Sequence, residues 1–490
     1  MSLLTTLQQL RAAETQYAQP LSRLRYLHIA DRPLVFLPLN RPGETARPLA
    51  VMTGSDPHHP HLFLAPPGGD DLFLAALADH LHTYIRGFQK DWRIQPAKDD
   101  RPERREYLDA PQLVVTGTAS VDYLKILGRR LRYRPIPDDT DPAASVAHLG
   151  RWLTFFAERA EYSASSLLLN LTRLLSTHWA TGQSALEDAR LASLMAWIFP
   201  PAGQTGLEAA LDAEDPLVHP PDGPTIDPSF ESARLTSLFA SLKAARGARR
   251  HQHVERLRQA ADDYLTPTWK LAWQALSTLR GMSPIPSTIA RWNTDIRQFT
   301  HHSDRLDAGA PPQPKQDNAV AAAIGLAELE HAAAALDSHR ALEDSFVMAE
   351  RRTTGEAFSG LVTHTEPDRI IEAQGPRQRA KLRPRFTVHT TDPVRLEVNR
   401  RLAGPRDPAV HMNVCDITYT PDGIDIVLEV ITRTGTVAQP NRRSVPAVGT
   451  TLLLTTAPEH FPRPQFPAWD QIPWTHAGPH AKAAGQEQPA

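Results

Sequence analysis

The residues best equipped for chemistry crowd into one stretch. Arg377, Arg379, Lys381, Arg383 and Arg385 alternate along the chain, Phe386 and His389 lie just beyond, and Arg395, Arg400, Arg401 and Arg406 follow. On a strand, the period of two projects the five alternating cations to one face. A same-face row of like charges destabilises a sheet unless an anion or an acidic partner compensates it. The planar donor fork of arginine suits phosphate, whereas a merely solubilising surface draws mainly on Lys and Glu. The chemistry expected is phosphate binding along a groove by Arg377, Arg379, Lys381, Arg383, Arg385, Arg395, Arg400 and Arg401, with Phe386 as a platform on which a base stacks. A strand edge guarded by charge against aggregation is the competing reading of the same row.

Other groupings are less pointed. Asp56, His58, His59 and His61 sit between two short apolar runs, and imidazoles with a carboxylate can hold a divalent cation. Pro57 and Pro60 make a plain polar turn the preferred account, and His301, His302 and Asp304 would complete a site only through folding. Cys415 lies in the strand-like run 414–418, where a buried, inert thiol is the default and a nucleophile needs a neighbouring base. Asp416, Asp422, Asp425 and Glu429 could bind Mg²⁺ from adjacent strands. However, Glu429 is followed by Val430 and Ile431 and so opens no E-x-K motif, which favours a solvated face. The basic run Lys243, Arg246, Arg249, Arg250, Arg256 and Arg258, with His251 and His253, reads as a helix lying along a phosphate backbone or as a solvated helix face.

Several activities lose their signatures. No Gly-Lys pair occurs, which removes a Walker A loop, and G-x-G-x-x-G, H-E-x-x-H and G-x-S-x-G are absent. Lys and Arg number 53 against 55 Asp and Glu, a net charge of -2, so any nucleic-acid contact must be local. One cysteine excludes an intramolecular disulfide and multi-cysteine metal sites. No apolar run approaches the roughly 18 residues that span a bilayer, and the first residues lack a secretory core, so a cytoplasmic protein without membrane contact is expected.

The elements that must position these residues follow from periodicity. A chain of 490 residues suggests roughly three domains. The runs 34–37, 49–52, 62–64 and 113–115 read as strands, and Leu74, Leu77, Leu81, Ile85 and Phe88 as one face of a helix with Asp70 at its N-cap. From 144 to 305 the spacing is almost wholly helical, with a capping box at Ser184 and Glu187. Strand-like runs return at 358–362, 370–372, 382–389, 394–398, 414–418, 424–430 and 451–455. The fold class expected is α+β and multidomain. Its parts are an N-terminal α/β domain (1–137), an all-helical domain (138–307), a linker (308–316), a long helix or helical hairpin (317–353), a small OB-like β-barrel (354–458) and a Pro-rich, largely disordered tail (459–490). Trp469 and Trp474 are expected to pack back on the barrel.

Gly360-Leu361-Val362, the run Arg383 to Val388, the turn and strand from Asp392 to Leu396, and Val445 to Gly449 follow one another in an order that resembles the small β-barrel inserted in superfamily 1 helicases. The resemblance covers about a quarter of the chain and implies contact with single-stranded nucleic acid near a motor. The motor motifs are missing, so the motor would be a separate ATPase or helicase. The function expected is a non-catalytic nucleic-acid-binding accessory protein, with no cofactor, metal or catalytic residue. The alternatives are a protein-interaction scaffold that docks through the long helix, around Ile324 and Leu329, and a metal-dependent enzyme at the Asp56 to His61 loop.

Overall fold

The computed structural model describes residues 3–44, 47–97, 102–135, 142–372 and 380–457. It is a mixed α+β structure of two compact units, Met1–Gln313 and Pro314–Ala490. The tail with Trp469 and Trp474 lies outside the described residues.

The first unit is built on a five-stranded sheet. Its strands are β1 (Leu34–Asn40), β2 (Pro48–Gly54), β3 (His61–Leu64), β4 (Leu113–Val115) and β5 (Leu168–Asn170), in the order β3-β2-β1-β4-β5. β1 pairs parallel with β4 and β4 parallel with β5, while β2 lies antiparallel between β1 and β3. Apolar runs without polar alternation suit a sheet covered on both faces. Leu34, Phe36, Val51, Leu113, Val115 and Leu168 face one helical layer. That layer comprises α2 (Asp70–Phe88), α3 (Thr118–Leu131), α4 (Pro142–Arg159) and α10 (Ser287–Asp307). Val35, Leu37, Leu39, Met52, Val114 and Leu169 face the other layer. It holds α5 (Leu171–His178), α6 (Leu191–Ile198), α8 (Thr236–Ala244) and α9 (Gly247–Arg280). The chain begins with α1 (Leu3–Thr15), and α7 is Gly206–Asp212.

The stretch 138–307 therefore supplies the fifth strand and most of both helical layers. Helical spacing shows that a stripe is buried but not against what, and a run as short as Leu168–Asn170 carries no period to distinguish strand from helix. The Ser184/Glu187 box forms, with Ser184 N–H to the Glu187 carboxylate at 2.7 Å, but it closes a turn and α6 begins only at Leu191. A second box, Thr205 with Glu208, heads α7. At α2 the N-cap is Gly69, and the Asp70 carboxylate turns instead to the guanidinium groups of Arg41 and Arg47.

In the second unit α11 (Ala319–Glu343) and α12 (Ser345–Thr354) meet at Asp344, whose carboxylate accepts the Phe346 N–H at 2.9 Å and caps α12. Gly355, at φ 83, ends α12. Six strands then close an antiparallel barrel in the order β6-β7-β10-β9-β8-β11. These are β6 (Ala357–Glu366), β7 (Arg385–Thr390), β8 (Arg401–Gly404), β9 (Asp407–Thr420), β10 (Gly423–Val430) and β11 (Thr451–Thr456). Phe358, Val388, Leu402, Val414, Ile426 and Leu428 fill its interior. Gly360 lets β6 and β7 close tightly, since a Cβ there would stand 2.5 Å from Val388. The run 394–398 forms no strand. Val394 and Leu396 still pack on the barrel core, so its alternation reflects burial without strand pairing.

Candidate functional site

Alternation along β7 and its approach decides where the arginine row points. Lys381 is exposed, Arg383 and Arg385 are half-buried, and Leu382, Pro384 and Phe386 turn inward. Phe386 is 1 % exposed within the barrel core, which corrects its expected role as a stacking platform. It is one position out of phase with the arginines, so the period that exposes them buries it. Arg377 and Arg379 lie outside the described residues.

Strand register places the rest of the row. Across the outer face, Glu366 of β6, Arg385 of β7, Glu429 of β10, Asn413 of β9 and Arg401 of β8 stand opposite one another in turn. The counter-charge that the row requires comes from the chain itself. Glu429, 15 % exposed, accepts hydrogen bonds from Arg385 Nε at 3.2 Å and Arg369 Nη1 at 2.6 Å. Arg369 also donates to the Arg383 carbonyl at 3.1 Å, and the Arg383 N–H donates back to the Arg369 carbonyl at 2.9 Å. Two guanidinium groups thus share a single carboxylate at one end of the barrel, and Arg383 adjoins them through its backbone while its guanidinium donates to the Leu382 carbonyl at 3.3 Å. Arg369 escaped the sequence reading because it belongs to no alternating run, and only register brings it to Glu429.

The remaining expected residues are dispersed. The Arg395 N–H bonds the Gly355 carbonyl at 2.9 Å, beside the end of α12, and Arg400 occupies the turn before β8. Beyond the expected row, Arg442 and Arg433 are paired with Asp368 and Asp407. Cys415 sits half-buried where β9 and β10 shift register. Burial pushes its thiol up, against the pull of Arg385, which leaves a poor nucleophile.

The other groupings resolve into structure. In the loop 56–61, Asp56 accepts the His58 N–H at 2.8 Å and meets His59 Nδ1 at 3.0 Å. These bonds hold its carboxyl below the ordinary range and fix a turn. His302 stacks on Phe155 at 4.3 Å between ring centres, and burial pushes it down to about 3. Among the described residues, no three His, Cys, Asp or Glu side chains converge to hold a metal, and the alternative reading of the loop 56–61 as a metal site gains no support. In the basic run, three of the five arginines donate to backbone carbonyls. Arg246 donates to the carbonyls of Lys243 and Ala245, Arg250 to those of Leu242 and Pro67, and Arg258 to that of Leu62.

One buried cluster was not legible in the sequence. Asp295 of α10, 2 % exposed, accepts the Ser165 hydroxyl at 2.8 Å and the Ser166 N–H at 2.6 Å. Gln112 donates to the Ser166 carbonyl at 2.7 Å and accepts the Ala30 N–H at 2.9 Å. Burial raises Asp295 to about 6, and every group faces protein, so the cluster clasps the starts of β4 and β5 and is closed to substrate. Comparison with known proteins finds no matching family model, curated protein or solved structure.

Proposed function

We propose that the barrel unit binds single-stranded nucleic acid through its phosphates, without catalysis, and serves a separate ATPase. The observation that carries this reading is the surplus of guanidinium at one end of the barrel. Arg369 and Arg385 share Glu429, with the half-buried Arg383 beside them, Lys381 leading into the group and Arg401 at the far end of the same row. Half-exposed arginines that are already oriented lose little freedom on meeting phosphate. The barrel's total charge is nearly balanced, with eleven Lys and Arg against ten Asp and Glu over 357–372 and 380–457, so binding would have to be local.

Fluorescent single- and double-stranded DNA and RNA titrated across a salt series test the proposal. Affinity should fall steeply with salt, and Lys381→Ala with Arg383→Ala and Arg401→Ala should flatten the salt slope by about one unit for each phosphate no longer neutralised. Glu429→Gln frees two guanidinium groups and should tighten binding. Binding indifferent to salt, or unmoved by all these changes, refutes the reading.

A scaffold is the second reading, favoured by α11. Leu326 is 58 % exposed, and the helix is long and apolar enough to cross a membrane by composition. Glu328, Glu330 and His331 in its middle argue for a protein surface, since a charge at the bilayer centre costs about 3 kcal/mol. Ile324→Asp with Leu329→Asp should then abolish co-purification of a partner and leave the barrel folded.

A further inference from the structure

The barrel's strands are not covered equally on both edges. β9 runs 14 residues, yet β8 pairs with it only between Asp407 and Asn413. Two bonds extend that edge, from the Val414 N–H to the Arg400 carbonyl at 3.0 Å and from the Asn399 N–H to the Val414 carbonyl at 2.7 Å. There the covering chain turns away, with Asn399 at φ 71 and the Arg400 N–H bonded to the Glu397 carbonyl at 3.1 Å. From Asp416 to Thr420, β9 is paired with β10 on one side and, among the described residues, with no strand on the other.

Hairpin parity tells which groups are left over. Thr420 and Gly423 flank a two-residue turn and form its closing pair, so residues 420, 418 and 416 direct their backbone groups to β10. Ile417 and Tyr419 direct theirs outward. Tyr419 is 71 % exposed. Asp416 and Asp422 are exposed, and among the described residues no cation pairs with either, the Asp416 carboxylate accepting only the Thr418 hydroxyl at 3.1 Å.

We propose that this edge of β9 accepts an extended basic peptide of a partner protein by strand addition. Unpaired N–H and C=O groups on a strand edge are a template for another strand. The peptide would alternate, with Lys or Arg beside Asp416 and Asp422 and apolar side chains beside Ile417 and Tyr419. A second copy of this chain is the poorer occupant, because edge-to-edge pairing would bring like carboxylates together. The same carboxylates disfavour nucleic acid here, so the site is distinct from the arginine end and does not depend on it.

Amide exchange by NMR on the full chain tests this. In the free protein, Ile417 and Tyr419 should exchange fast, while Thr418 and Thr420 are protected. A capped peptide of alternating Lys and Val should slow Ile417 and Tyr419 by about tenfold or more, and its Glu and Val counterpart should not. Tyr419→Pro removes one outward N–H, spares the bonds to β10, and should abolish the effect. Asp416→Lys with Asp422→Lys, a surface change that leaves the edge intact, should weaken binding by about tenfold. Protection of Ile417 and Tyr419 without peptide shows the edge already covered and overturns the proposal. So do equal binding of the acidic peptide, binding that survives both variants, self-pairing at high protein concentration, or no binding at about 1 mM peptide, which would leave an edge merely guarded by charge.

Discussion

Two carboxylates, Asp295 in the α/β unit and Glu429 in the barrel, face multiple donors in opposite settings. Asp295 is 2 % exposed and meets a hydroxyl and a backbone N–H that have no other outlet. Glu429 stands on an outer strand face between two guanidinium groups that are 25 % and 35 % exposed. The first unit spends its polar groups on fixing sheet to helix, and burial holds His28, His82 and His302 neutral at about 4, 4 and 3. The barrel keeps its charges at the surface, where a ligand can compete for them. The two units thus place their carboxylates in different surroundings, and the contrast can be broken or sharpened by measurement.

The largest effect should come from Phe386→Ala. A fully buried ring leaves a cavity worth about 3–5 kcal/mol, and exchange protection should fall in β7 and β10 while the five-stranded sheet keeps its own. A loss below about 1 kcal/mol would return Phe386 to the surface.

Acid comes next. The three histidines have folded values below the unfolded 6.5, so they stabilise above it, and that contribution is lost as pH falls from 6.5 towards 4. Asp295, raised to about 6, has the opposite sign and offsets part of the loss, because its contribution is complete only below about 4. Asp392 of the barrel is lowered by its bond to Arg352, so its contribution persists until pH falls below the ordinary carboxylate range. Burial also lowers His411, but only part of that ring is covered. Calorimetry should show the α/β unit melting roughly 10 °C lower at pH 4.5 than at pH 7.5, with the barrel nearly unmoved. Equal shifts would erase the distinction.

Asp295→Ala strands two buried donors and should cost the α/β unit about 2–3 kcal/mol in denaturant unfolding. Glu429→Gln should cost the barrel only about 1 kcal/mol, since its arginines recover water. If the two substitutions cost the same, the outer row is as structural as the clasp.

The barrel was legible because inward and outward residues alternate along β7 and β10, and the apolar runs of β1, β2 and β4 announced a covered sheet. The same alternation, carried one residue further, places Phe386 inside. Other features depend on folding at a distance. Register sets the Arg369 to Glu429 pair, the three-residue β5 has too little sequence to show a period, and the Asp295 clasp joins α10 to a loop that precedes β5. The capping box at Ser184 shows the converse, a local signal satisfied in a turn that never becomes the start of a helix.

The pairing of β6 with β11, Ala357 opposite Thr455, has a consequence for synthesis. The barrel's first strand is made early and finds one of its two neighbours last. Until Thr451–Thr456 has emerged, a nascent chain holds Phe358 beside an open seam, and long-range closure of this kind is slow. Sheet β3-β2-β1-β4-β5, whose strands are complete by Asn170, faces no such wait for its own hydrogen bonds. During translation the barrel is therefore the part of the molecule most in need of protection from premature association.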